Sequence, residues 1–78
     1  MSEKILVVDD EKEITDLISL YLTNEGYDVH SFYDAEEAAA AVETEAFDLA
    51  ILDVMMPKLD GFQLCQKIRL HFNYPIIM

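Results

Sequence analysis

Basic residues are scarce: five lysines and arginines stand against sixteen aspartates and glutamates in 78 residues, a net charge of −11. Nucleic-acid affinity comes largely from basic side chains that neutralise phosphates. Direct nucleic-acid binding by this segment is therefore not expected, and cations or basic protein surfaces are better partners. Cysteine is nearly absent. Cys65 stands alone, which excludes an internal disulfide and any zinc-ligand spacing; it reads as a small core or helix-face residue. Glycine is limited to Gly26 and Gly61. Neither follows the first apolar run, so no glycine-rich loop is available there to cradle a nucleotide phosphate. No run approaches the length of a membrane span, and the opening MSEKILVV lacks the long apolar stretch of a signal peptide. A soluble, cytoplasmic protein without membrane contact is expected. Low-complexity tracts and linkers are missing as well.

Apolar residues, by contrast, make up 53% of the chain, enough for the core of one small domain. They are arranged as short apolar runs, each followed by an amphipathic stretch. Ile5–Val8 is a continuous run of the kind covered on both faces of a sheet. Ile14, Leu17, Ile18, Tyr21 and Leu22 then form one stripe of a helix that Gly26 can end. Residues 27–32 alternate as a half-exposed edge strand. Asp34 with Glu37 makes a capping-box-like start for an alanine-rich helix over 35–44. Phe47–Leu52 reads as a second buried strand. Asp60 with Gln63 opens a helix through about Phe72, with Leu64, Cys65, Ile68 and Phe72 inward, and a strand begins at Pro75. Alternation of strand and helix implies an α/β fold with a parallel sheet and right-handed crossovers. With the two polar-free strands as neighbours and the edge strand outside the first, the strand order is 2-1-3-4. This is the start of a flavodoxin-like, doubly wound sheet. Its winding reverses between strands 1 and 3 and opens a crevice at their carboxyl ends.

Acids gather at that crevice. Asp9 and Asp10 close the first strand and Asp53 closes the third. Like charges ~5 Å apart cost ~3 kcal/mol per pair at an effective dielectric near 20, so something must offset them or the cluster faces water. Helix-start acids are ordinary, and Asp9 and Asp10 alone are explained nearly as well by capping. A third carboxylate at the matching end of the partner strand favours a hard divalent cation, and magnesium takes a few carboxylates plus phosphate and water. Flavin or dinucleotide phosphates would be repelled there. A phosphohydrolase built on an Asp-x-Asp motif fits poorly, because Val54 and Met55 follow Asp53 without a second acid.

The segments ILVVDDE, LAILDVMMPKLDG and YPIIM, in this order and spacing, resemble the first, third and fourth strand regions of the response-regulator receiver domain of bacterial two-component signalling. The likeness covers the whole chain. It is greatest to receivers that precede a winged-helix DNA-binding domain, of the vancomycin-resistance type. The resemblance implies that Asp53 is the phosphoacceptor, taking a phosphoryl group from a sensor histidine kinase with Mg2+ to control transcription. Asp10 would be a direct metal ligand, Asp9 would act through a bound water, and the main-chain carbonyl of Met55 would complete the protein ligands. Pro57 and Gly61 match the loop before the third helix. Self-phosphorylation of this kind is not turnover catalysis.

The resemblance also implies a receiver that runs further, through a fifth strand and two more helices. The expected hydroxyl residue after PIIM and the lysine at the end of the fifth strand have no counterpart within the 78 residues. Residues 1–78 are accordingly expected to be the amino-terminal part of a receiver. Its alternative role is a signalling-incompetent segment that acts only by self-association or association with a partner. Lys58 reads as a solvated loop charge, and His30 and His71 as non-catalytic. Met55, Met56 and Met78 read as packing residues.

Overall fold

In the computed structural model the described residues are 3–53, 61–71 and 75–78, with side chains over 63–70 in the second segment. The elements are β1 (Lys4–Val8), α1 (Lys12–Asn24), β2 (Asp28–Phe32), α2 (Ala35–Thr44), β3 (Leu49–Leu52), α3 (Gly61–His71) and β4 (Ile76–Ile77). The four strands form one sheet in the order β2-β1-β3-β4, and every pairing is parallel. Fold class and strand order thus agree with the pattern of apolar runs.

β1 is central because it has no polar face to offer. Ile5, Leu6, Val7 and Val8 are at most 2% exposed. Leu6 and Val8 join Ala50 and Leu52 in a core closed by Ala35, Ala38 and Val42 of α2 and by Leu64 and Ile68 of α3. The small alanines let α2 sit close to the sheet. Each large aliphatic side chain taken fully from water contributes about 1.5–3 kcal/mol. Cys65 is half-buried beside this core. α2 begins at Asp34, whose carboxylate accepts from the Glu36 N–H at 2.7 Å, one residue earlier than a capping box would use. α1 ends ahead of Gly26, where φ is +97°, a conformation that costs a residue with a Cβ about 1–2 kcal/mol.

Three expectations shift. Phe47 is buried but precedes β3, which starts at Leu49; its ring packs edge-on against His30 at 5.6 Å between centroids. In α1 the apolar stripe is not the buried line: Ile14, Leu17 and Tyr21 are 41%, 67% and 67% exposed, whereas Thr15 is fully buried. The inward side runs through Thr15, Ile18, Ser19 and Leu22, and α1 packs on β2 and β1. On that side the Thr15 hydroxyl bonds to main-chain carbonyls, while part of a wide apolar arc lies in solvent. Met78 is half-exposed rather than packed. Among the described residues no helix is long and apolar enough to cross a membrane.

Candidate functional site: an acidic cluster at the strand ends

Two main-chain bonds carry the sheet one residue past its strands. The Asp9 N–H donates to the Phe32 carbonyl at 3.2 Å, and the Asp53 N–H donates to the Val8 carbonyl at 2.8 Å. The ends of β2, β1 and β3 are thereby locked side by side, and the residues that leave β1 and β3 are the acids. One carboxylate oxygen from each of Asp9, Asp10 and Asp53 lies within 4.8 Å of the other two. Asp9 and Asp53 are half-buried and Asp10 is exposed. All three expected carboxylates are therefore brought together.

Asp9 is held through both its side chain and its main chain. Its Oδ1 accepts from the Glu11 N–H at 2.9 Å, a turn typical of aspartate. Its carbonyl accepts from the Thr15 hydroxyl at 2.8 Å. Burial pushes its carboxyl above the usual carboxylate value; the Glu11 N–H opposes the rise, while the charges of Asp53 and Asp10 and a hydrogen bond with Asp53 add to it. Three carboxylates packed this closely repel one another and favour a nearby positive charge. A divalent cation would supply it, and three oxygen donors at this separation suit a hard ion of the magnesium class. The amino end of α1, just beyond Glu11, adds partial positive charge of its own.

The residues expected nearby are distributed unevenly. Met55, Met56, Pro57 and Lys58 lie outside the described residues, as do Asp60 and Phe72; Gly61 opens α3. His30 is not part of the cluster. Its Nε2 lies 3.3 Å from Asp28 and its Nδ1 3.8 Å from Glu45, and the His71 side chain is not among those described. Thr15 is the residue that the pattern of apolar runs failed to single out. A signal existed: Thr15 precedes Ile18 and Leu22 by three and seven positions, so it is a polar residue on an inward helical line.

A model of the response regulator receiver domain matches residues 5–78. The chain belongs to that family. As a receiver it resembles the regulatory protein VanRc of Enterococcus gallinarum, with 59% identity over the whole chain and 34% of the relative's length. The regulatory protein VanR of Enterococcus faecium is 55% identical over the same spans. The chain thus covers about a third of these relatives. Among solved structures, a CheY-like receiver domain protein from Methanospirillum hungatei superposes with a TM-score of 0.93 at 34% identity, over 100% of this chain and 63% of that one. The response regulator TrrA from Thermotoga maritima, solved in complex with Mg(2+)-BeF, gives 0.83 at 38% identity over 87% of this receiver and 59% of that chain. Receivers of this kind are modules of two-component signalling, and this one is related to the VanR transcription regulators.

Proposed function

We propose that this receiver accepts a phosphoryl group on Asp53 from the phosphohistidine of a sensor histidine kinase. The observation that carries the reading is the meeting of Asp9, Asp10 and Asp53 at the carboxyl ends of neighbouring strands. Half-buried at the mouth of the crevice, Asp53 presents a carboxylate oxygen to phosphorus. That oxygen attacks in line, the phosphorus–nitrogen bond breaks with its electron pair going to the imidazole, and an acyl phosphate is left on Asp53. Asp9, Asp10 and Asp53 would hold Mg2+, and the Met55 carbonyl is assigned to the same set on family grounds. When bound, the ion would supply neutralising charge for the phosphoryl oxygens. That the similar response regulator TrrA was solved in complex with Mg(2+)-BeF supports a magnesium-dependent reading. Transcriptional output, through a winged-helix domain in the cytoplasm, belongs to the same proposal and rests on similarity to VanR and VanRc.

Incubating the chain with acetyl phosphate and Mg2+ and measuring intact mass tests the reading. The expected result is an adduct of one phosphoryl group that requires Mg2+ and is absent in Asp53→Asn. No adduct, or an adduct that survives the substitution, refutes it.

A further inference from the structure

The Asp9 carbonyl belongs to the peptide that joins Asp9 to Asp10. A peptide is planar, so whatever holds that oxygen also sets where the Asp10 Cα lies and where its side chain departs. The group that holds it is the Thr15 hydroxyl, at 2.8 Å. A threonine inside a helix ordinarily turns its hydroxyl back to the carbonyl four residues earlier. Here that carbonyl, Glu11, is also within reach, but at 3.2 Å. One hydroxyl carries one proton, and the shorter bond goes to the carbonyl between the two acids, outside the helix. Thr15 is also the one polar side chain fully buried among the described residues.

We infer that Thr15 is a positioning residue for the acid pair, fixing the Asp9–Asp10 peptide so that both carboxylates converge with Asp53. The inference rests on the proposed role of these acids as the metal-holding site. The remaining fastenings agree with it. Phe32 holds the Asp9 N–H, and the Glu11 N–H holds the Asp9 side chain. Only the Thr15 hydroxyl, among the bonds described, grips the plane leading into Asp10. Its removal frees that plane to rotate while leaving all three carboxylates present.

The test compares the parent with Thr15→Val, Thr15→Ala and Thr15→Ser. Magnesium chloride is titrated while the amide signals of Asp10 and Asp53 are followed, and the Asp9 carbonyl carbon shift is read without metal. In Thr15→Val and Thr15→Ala that carbon shift should move, and magnesium affinity should fall by about tenfold, the scale on which groups that orient metal ligands act. Thr15→Ser keeps the hydroxyl and should restore both. Parent-like magnesium affinity in the two hydroxyl-free variants overturns the inference. So does loss of the fold in both, which would make Thr15 a residue of the core alone. A parent that ignores magnesium sinks the metal reading itself, and the positioning role with it.

Discussion

Replacing Asp53 by asparagine should stabilise this receiver when magnesium is absent and should blunt its response when magnesium is added. The three carboxylates lie within 4.8 Å of one another. At that separation a like-charge pair costs about 1 kcal/mol at the dielectric of water and several times more inside a protein. Asp10 is exposed while Asp9 and Asp53 are half-buried, so the Asp10 pairs belong near the lower figure and the Asp9–Asp53 pair above it. Asp53→Asn removes two of the three repulsions. The net gain should be roughly 2 kcal/mol, which raises the melting temperature of a domain this size by roughly 10 °C. Magnesium reverses the advantage. For an ion held near ~1 mM, ~10 mM magnesium adds about 1.4 kcal/mol to the parent, and the variant, with one carboxylate fewer, should gain far less. Thermal unfolding followed by circular dichroism, near neutral pH with EDTA and then with magnesium chloride, measures both effects. If Asp53→Asn melts at or below the parent in EDTA, the repulsion argument is wrong. Equal stabilisation of parent and variant by magnesium removes Asp53 from the ligand set.

Two further outcomes follow from the same geometry. Asp9 is held above its ordinary value of 3.8, chiefly by burial. Its contribution to stability is therefore fully present below 3.8 and is lost as pH rises through the raised folded value. Stability measured in urea should fall more steeply with rising pH in the parent than in Asp9→Asn across that window, and equal slopes would contradict the assignment. In the core, Leu6 is fully buried on the central strand, and Leu6→Ala should cost about 2–5 kcal/mol. Urea unfolding reads the loss, and a cost below about 1 kcal/mol would mean that α2 and α3 do not close over β1 as described.

The strand order was legible in the sequence because it follows from local chemistry. Ile5–Val8 has no polar residue to turn toward water, so it must lie inside the sheet. The alternation over 27–32 suits a half-exposed strand, and β2 does lie at an edge of the sheet; Asp34 and Gly26 mark helix ends by hydrogen-bonding and φ preferences that need no distant partner. The acids were legible too, since each closes an apolar run and parallel strands end together. The rotation of α1 about its axis was not. Ile14, Leu17, Ile18, Tyr21 and Leu22 describe an apolar arc wider than the line that meets the sheet, and periodicity cannot choose which part of so wide an arc is buried. The structure turns Thr15 inward, where its hydroxyl reaches the Asp9 and Glu11 carbonyls. A hydroxyl at a helical position carries no signal of a partner six residues away until the turn between β1 and α1 has closed. The sequence alone thus determined which acids meet, and the tertiary structure decided what holds their peptide in place.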